Sequence, residues 1–259
     1  MNLREMWADD RATLGAWLSS PSTAVAETTA RVGFDYVCVD NQHGAVDYQA
    51  TVGMVQGIML GGSRPIARVP WNEAGILGKM LDAGVEGVVV PMVNTVAEAQ
   101  AVVRGTRYPP LGERSYGPVM AGMRTTDYHV TANDRVAVIP MIETVQALRN
   151  LDDILAVPGI DAIYVGPADL SLSLGLPPAN NDDRSEFTDA LLAIVAACRK
   201  AGVVPGIHST GDLTGRRLEQ GFRMITVTSD LLAMRTRMTQ ELDQGRGAQG
   251  PDGSSGAMY

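Results

Sequence analysis

The chain has 259 residues, of which 45% are hydrophobic and 19% charged, and its net charge at pH 7 is −8. This composition is typical of a globular protein and argues against a disordered or membrane-spanning one, because no apolar run approaches roughly 20 residues. The Lys and Arg residues are scattered along the chain, so we expect no nucleic-acid partner, which would need clustered cations.

The N-terminal segment carries several charges and lacks the continuous apolar core of a signal peptide, which predicts a cytoplasmic protein. Cys38 and Cys198 both lie in apolar runs. Two cysteines form neither a disulfide framework nor a metal site, so we expect both to be buried thiols.

One pattern recurs along the chain: a short apolar, β-branched run is followed by a segment with helical periodicity. The runs predict strands at 14–19, 34–40, 64–69, 84–93, 136–143, 160–166, 203–208 and 223–229. The segments between and after them predict helices at 22–33, 47–60, 72–83, 95–105, 144–156, 185–201, 211–220 and 230–244. Glycines that follow predicted helices, such as Gly84 and Gly202, are typical of helix termination.

Strands that alternate with helices predict a parallel sheet, and nearly continuous apolar strands predict burial on both faces. In a chain of this length the pattern favours a single-domain (β/α)₈ TIM barrel, an α/β fold, over residues 1–244, with 245–259 as a disordered tail. A doubly wound open sheet is the alternative. It needs a phosphate-binding glycine loop after the first strand, and Ser-Ser-Pro-Ser at 19–22 is not one.

Two further segments bear on this interpretation. The Gly-x-Gly-x-x-Gly pattern at 245–250 follows a helix instead of a strand, so we assign it to the tail and not to a nucleotide site. The segment 107–135 is too long for a simple connection between a helix and a strand. It predicts a loop at the rim of a pocket, an oligomer contact, or both.

In a TIM barrel the chemistry lies at the carboxyl ends of the strands, and two predicted strands end at or near a carboxylate. Glu143 ends the fifth strand and Asp169 follows the sixth. Neighbouring strands lie about 4.8 Å apart, so these carboxylates can share one cation, and oxygen ligands with open positions suit Mg²⁺ or Mn²⁺. The alternative for each residue is a structural role at a helix N-terminus.

His43 and Arg68 end the second and third predicted strands. A histidine there fits a general base, and an arginine beside a metal fits a group that holds a developing oxyanion. Asp82, near the end of the third predicted helix, can reach a histidine from behind, although an exposed helix-end aspartate is the alternative. Trp17 and His208 end the first and seventh strands.

The positions of the lysines bear on the type of aldolase chemistry that is possible. The chain has only Lys79 and Lys200, and both fall in predicted helices. A Schiff-base lysine must project into the pocket, so the sequence argues against a lysine-type aldolase and favours a metal as the electron sink.

The motifs around His43, Arg68, Glu143 and Asp169, together with two others, resemble the HpcH/HpaI family of class II, metal-dependent pyruvate aldolases, and the resemblance extends over residues 3–243. The motifs are Asp40-Asn41-Gln42-His43-Gly44, Ala67-Arg68-Val69-Pro70-Trp71-Asn72, Val90-Pro91-Met92-Val93, Arg107-Tyr108-Pro109-Pro110, Met141-Ile142-Glu143-Thr144 and Gly166-Pro167-Ala168-Asp169-Leu170-Ser171. The resemblance implies a (β/α)₈ barrel that forms or cleaves 4-hydroxy-2-oxo acids from a pyruvate enolate and an aldehyde. It also implies a divalent metal: Mg²⁺, Mn²⁺ or Co²⁺.

The resemblance also implies a role for each matching residue. Glu143 and Asp169 match the metal ligands. The catalytic residues that it implies are the base His43, the enolate stabiliser Arg68 and the acidic partner Asp82. The substrate contacts that it implies are Trp17, Gly166 and the backbone N–H of Ala168. Family members commonly form hexamers by exchanging the last helix, which predicts a homo-oligomer here, a hexamer or a trimer.

Three substrate-pocket positions depart from the best-known members of that family. Gln42 stands where they have Glu, which removes a negative charge, although Gln42 can still bond a water. Met141 replaces Gln, so one hydrogen bond to pyruvate is missing. His208 replaces an aliphatic residue and predicts a polar or acidic acceptor, with a satisfied structural histidine as the alternative.

Two other functions fit the same residues less well. Related metal–enolate chemistry covers oxaloacetate decarboxylation, a CoA-ester lyase and biosynthetic carbon–carbon coupling, but a CoA lyase needs a basic nucleotide patch and the arginines are scattered. A non-catalytic binding barrel is expected to lack a metal carboxylate or His43, and the chain has all of them.

Overall fold

The structure, a computed structural model, describes residues 1–248. The strands are β1 (Thr13–Leu18), β2 (Tyr36–Asp40), β3 (Arg64–Arg68), β4 (Gly87–Val90), β5 (Ala137–Pro140), β6 (Ala162–Val165), β7 (Val204–His208) and β8 (Met224–Ser229). The helices are α1 (Leu3–Ala8), α2 (Thr23–Arg31), α3 (Tyr48–Leu60), α4 (Ala74–Ala83), α5 (Val96–Thr106), α6 (Val119–Arg124), α7 (Tyr128–Arg135), α8 (Val145–Arg149), α9 (Leu151–Leu155), α10 (Pro167–Ser173), α11 (Ser185–Ala201), α12 (Thr214–Gln220) and α13 (Asp230–Ala248).

All the strands are parallel and form one sheet in the order β5-β4-β3-β2-β1-β8-β7-β6. The two outer strands, β5 and β6, meet through a parallel bridge between Met141 and Tyr164. The N–H of Ile142 also donates to the carbonyl of Tyr164 at 2.9 Å. The sheet therefore closes on itself, which confirms the predicted single-domain TIM barrel against the doubly wound alternative.

Alternation along the strands divides the core into two layers. In β2, Tyr36 and Cys38 point into the barrel, where they pack with Ile66 and Tyr164. The intervening Val37 and Val39 point outward and pack against α2 and α3. Both layers are fully buried, which is why the strands read as continuous apolar runs. Both cysteines are buried free thiols, as predicted.

The helices differ from the prediction in a few places. The helix α1 was not predicted; it begins with a capping box between Asn2 and Glu5 and buries Trp7 at the amino end of the barrel. The predicted helix 144–156 is divided at Asn150, whose side chain donates to the carbonyl of Asn94 at 2.7 Å. In the predicted loop 107–135, α6 and α7 pack around Tyr108 and Tyr128.

The last helix, α13, continues to Ala248, beyond the predicted boundary at 244. Its apolar side chains are exposed, namely Leu231, Leu232, Met234, Met238 and Leu242. The rest of the predicted tail, 249–259, lies outside the described residues. Over the described part of the chain, the structure contains no helix with the length and apolarity needed to span a membrane.

Candidate active site

A cavity of about 280 Å³ lies at the carboxyl ends of the strands. It brings together three residues with predicted chemical roles: His43, Arg68 and Asp169. It is also lined by the predicted substrate-binding residues Trp17, Met141, Gly166, Ala168 and His208. The sequence analysis did not single out the other lining residues, Tyr164, Pro167, Ala179 and Asn180. A larger cleft of about 670 Å³ lies near α1 at the opposite end, where TIM barrels do not place their chemistry.

Glu143 follows β5 and is buried next to the cavity. Its Oε1 accepts a hydrogen bond of 2.8 Å from the backbone N–H of Met92, whereas its buried Oε2 has no hydrogen-bond partner among the described residues. Burial and the negative charge of Asp169 raise the pKa of Glu143 to about 7, against the opposing effects of the Met92 N–H and Arg68. A buried carboxylate oxygen without a partner is costly unless a cation neutralises it.

The backbone at Met92 is bent to reach this carboxylate. Met92 has a φ of 56°, in the left-handed region that costs a non-glycine residue free energy. Its carbonyl is held by the side-chain amide of Asn94 at 2.9 Å. The side chain of Asn94 is in turn bonded by the hydroxyl of Thr144. Strain of this kind is typical of functional sites, and here it directs an N–H at Glu143.

Asp169 lies in the first turn of α10, behind Pro167. Gly166 occupies the cap position of this helix, so the alternative of Asp169 as the N-cap is wrong. Within residues 1–248, no cluster of three or more His, Cys, Asp and Glu side chains is placed to hold a metal ion. The chain therefore offers two carboxylates, Glu143 and Asp169, and any further ligands would come from substrate or water.

Asp40 and Arg68 form a buried ion pair at the edge of the cavity. The register of β2 and β3 places them side by side at the last position of both strands. Arg68 donates from Nε to Oδ1 at 2.9 Å and from Nη2 to Oδ2 at 2.6 Å, a bidentate geometry. Burial alone would raise the pKa of Asp40, but the hydrogen bonds and charge of Arg68 hold it below its ordinary value.

The loop after β2 is folded around the same aspartate. The backbone N–H groups of Gln42 and His43 donate to Asp40 Oδ1 at 3.0 and 3.2 Å. This places the exposed imidazole of His43 on the cavity. Gln42 does not line the cavity, so the expected substrate contact of its side chain is not seen within this chain.

Within a single chain Asp82 does not reach His43, so its role in tuning His43 stays a prediction. The strand β3 ends at the cavity, and α4 runs back toward the other end of the barrel, so Asp82 near the end of α4 lies away from the site. Its carboxylate binds Arg114 Nη2 at 2.7 Å instead. Arg114 is buried and lies over the rings of Tyr108 and Tyr128. None of the residues that line the cavity comes from the segment 107–135, so that segment does not form the rim within this chain.

A second loop closes the cavity from the side of α10. Asn180 lines the cavity, and Arg217 Nη2 in α12 donates to its Oδ1 at 3.0 Å. Arg217 is fully buried and holds Asp182 through two bonds of 2.7 Å. Only contacts between distant segments place this loop, so no local sequence pattern identifies Asn180.

His208 ends β7 and is held by aromatic contacts. The ring of Trp17 stacks on Tyr164 at 5.4 Å and meets His208 edge-on at 5.2 Å between centroids. His208 Nδ1 lies 3.4 Å from the Tyr164 hydroxyl. Burial and the charge of Arg68 lower the pKa of His208 to about 4, so its imidazole is neutral at pH 7.

The chain matches known proteins along most of its length. A family model described as HpcH/HpaI aldolase/citrate lyase matches residues 13–236. The chain is 36% identical to a hydroxypyruvate/pyruvate aldolase of Rhizorhabdus wittichii, over 94% of this chain and 98% of that protein. It is 37% identical to a 2-dehydro-3,6-dideoxy-6-sulfogluconate aldolase of Pseudomonas putida, over 93% of this chain and 95% of that protein. A solved HpcH/HpaI aldolase/citrate lyase family protein from Burkholderia cenocepacia J2315 is similar with a TM-score of 0.88 and 33% identity, over 94% of this chain and 98% of the other.

Proposed function

The chain belongs to the HpcH/HpaI aldolase/citrate lyase family, and we propose that it is a metal-dependent carbon–carbon lyase that cleaves or forms 4-hydroxy-2-oxo acids. The observation that carries this proposal is the unpartnered, buried Oε2 of Glu143 beside Asp169. A 2-oxo acid donor and an aldehyde acceptor fit a cavity that is also lined by the imidazole of His43 and the guanidinium of Arg68.

The two carboxylates fit a divalent cation. Glu143 and Asp169 would hold it, and oxygen ligands with positions left for substrate suit Mg²⁺ or Mn²⁺, with Co²⁺ as a further choice. A bound cation would supply Lewis acidity toward the carbonyl and carboxylate oxygens of the 2-oxo acid. Gly166 leaves room for this arrangement, because a Cβ there would lie inside van der Waals contact of Glu143 Oε2.

The other residues of the cavity would transfer the proton, stabilise the enolate and bind the substrate. The imidazole of His43 lines the cavity, and we assign it the transfer of a proton at the carbon next to the keto group. Arg68 is held in position by Asp40, and we propose that it stabilises the negative charge that develops on the enolate oxygen. We propose that Gly166 and Ala168 bind the substrate carboxylate and that the rings of Trp17 and Tyr164 form the wall of the cavity. Met141 supplies an apolar contact in place of a hydrogen bond.

The donor half-reaction can be tested without knowing the aldehyde. We expect the methyl protons of pyruvate to exchange with deuterated water when the protein is incubated with Mg²⁺, Mn²⁺ or Co²⁺, because enolate formation removes one of them reversibly. EDTA should stop the exchange. Proton NMR of the methyl signal measures the rate. Exchange that continues at the same rate in EDTA, or no exchange with any of the three metals, would contradict the proposal.

The close approach of Gly166 to Glu143 gives a second expected result. Gly166→Ala should raise the Kd for Mn²⁺ about ten- to a hundredfold, because the new methyl group displaces the Glu143 carboxylate. The φ of Gly166 is −93°, which alanine adopts readily, so the effect is not one of backbone strain. Isothermal titration calorimetry measures it. Gly215→Ala, at a site where a Cβ meets nothing within 4 Å, is the control, and equal Kd values for the two variants would refute the prediction.

Assembly and location are also part of this proposal. The exposed apolar side chains of α13 support the predicted homo-oligomer, since a single chain leaves them uncovered. The hexamer or trimer, its formation through the last helix, and a cytoplasmic location stay predictions.

A further inference from the structure

A chain of hydrogen bonds leads from the cavity into the interior of the barrel. The hydroxyl of Tyr164 donates to Thr226 Oγ1 at 2.6 Å, and the hydroxyl of Tyr36 lies 2.9 Å from the same oxygen. These three side chains are buried. At the other end, the Tyr164 oxygen lies 3.4 Å from His208 Nδ1.

This chain fixes the tautomer of His208. A tyrosine hydroxyl has one proton, and Tyr164 gives that proton to Thr226. The Tyr164 oxygen can therefore only accept from His208, so Nδ1 carries the imidazole proton. A neutral imidazole protonated at Nδ1 has its lone pair on Nε2. Within residues 1–248, Nε2 has no hydrogen-bond partner, and the ring lines the cavity.

The lone pair on Nε2 selects among ligand groups. A carboxylate, phosphate or carbonyl oxygen has no proton to donate and would face the lone pair unfavourably. An ammonium group could donate, but at this position it would lie close to the guanidinium of Arg68, whose charge also lowers the pKa of His208. A hydroxyl group donates one proton and carries no charge. It therefore fits this position better than the acidic group that the sequence alone left open.

We propose that His208 Nε2 accepts a hydrogen bond from a substrate hydroxyl group, and that the enzyme consequently prefers a hydroxylated 2-oxo acid or a hydroxylated aldehyde. This inference rests on the proposed aldolase function and specifies its substrate class. Tyr164 acts here as a positioning residue, because it fixes the tautomer without contacting the hydroxyl.

The test compares substrates that differ by one hydroxyl. In the first arm the donor is hydroxypyruvate or pyruvate, with propanal as the acceptor. In the second arm the acceptor is glycolaldehyde or acetaldehyde, with pyruvate as the donor. The ratio of kcat/KM for the hydroxylated and plain partner is measured in each arm, for the wild type, His208→Leu and His208→Gln.

We expect the ratio to fall about tenfold in His208→Leu in one arm, and that arm identifies the carbon chain that bears the hydroxyl. His208→Gln should keep most of the ratio, because its amide oxygen also accepts a hydrogen bond. Equal ratios in the wild type and His208→Leu in both arms would overturn the inference. A uniform loss of kcat/KM for all four substrates would also overturn it, since a general or structural role of His208 gives that result.

The pyruvate exchange of the wild type separates this inference from the proposed function. Metal-dependent exchange together with unchanged ratios would refute only the role of His208. Absence of exchange with every metal would refute the proposed function itself. Thermal unfolding of the two variants, monitored by circular dichroism, shows whether a change in ratio is measured on folded protein.

Discussion

Replacing Glu143 by Gln is expected to lower the rate of metal-dependent exchange of the pyruvate methyl protons by about 10³-fold or more. A Lewis-acidic cation is worth several kcal/mol of charge stabilisation in a reaction of this kind, and each 1.36 kcal/mol is a factor of ten in rate. Glutamine keeps an acceptor for the Met92 N–H but carries no charge toward the cation. Proton NMR in the presence of Mn²⁺ measures the loss.

The same substitution should not destabilise the metal-free protein. The folded protein raises the pKa of Glu143 from 4.5 to about 7, so the ionised carboxylate costs stability that increases as the pH rises from 4.5 to 7. One pKa unit is about 1.4 kcal/mol, which puts the cost at pH 8 at up to about 3 kcal/mol. In EDTA at pH 8, Glu143→Gln should therefore unfold at a denaturant concentration equal to or above that of the wild type.

If Glu143→Gln loses activity without losing stability, Glu143 acts as a metal ligand and not as a structural residue. Glu186→Gln, at an exposed position in α11, is the matched control and should retain exchange. If Glu143→Gln kept more than a tenth of the wild-type exchange rate, Glu143 would not be a metal ligand. The proposed site would then be left with Asp169 alone.

The barrel could be predicted because every strand carries its own local signal. The runs that end at Asp40 and His208 are apolar and bounded by polar or glycine residues, and their predicted boundaries agree with β2 and β7 to within a few residues. Short helices depend on tertiary contacts instead. The helices α6 and α7 pack around Tyr108 and Tyr128, and the sequence of 107–135 has no helical periodicity that predicts them.

The sequence identifies those residues of the candidate site that lie at the carboxyl ends of the strands. The rule that a TIM barrel places its chemistry there identifies His43, Arg68 and Glu143 because each stands at or just past the end of a predicted strand. It says nothing about residues brought in by other elements. Asp82, which the resemblance implies as the partner of His43, lies on α4 and does not reach His43 within one chain. The direction of α4 takes Asp82 to the other end, where Arg114 binds it.

Asp40 shows what the sequence alone could not assign. It stands at a strand end in the same motif as His43, but its partner is fixed by the register of β2 and β3, which no single segment specifies. Tyr164 is similar. Its position in β6 implies that it faces the barrel interior, whereas its hydrogen bonds with Thr226 and His208 depend on the closure of the sheet.

Asp40→Asn is expected to lower kcat about 10²- to 10³-fold with a much smaller effect on the Kd for Mn²⁺. Asparagine cannot form the charged bidentate pair, so the guanidinium of Arg68 loses its fixed position. Loss of one oriented donor to a developing oxyanion costs a factor of this size. Steady-state kinetics on a 4-hydroxy-2-oxo acid and metal titration calorimetry measure the two quantities.

Stability should fall as well, because the substitution leaves the buried charge of Arg68 without its partner, at a cost of about 3–5 kcal/mol. Asp161→Asn is therefore the matched control. Asp161 binds the buried Arg107 at 2.9 Å, but it precedes β6 and lies at the opposite end of the barrel from the cavity. Both variants should lose stability, and only Asp40→Asn should lose kcat. Equal kcat values for the two variants would show that the Asp40–Arg68 pair supports the fold alone, and would remove Arg68 from the proposed chemistry.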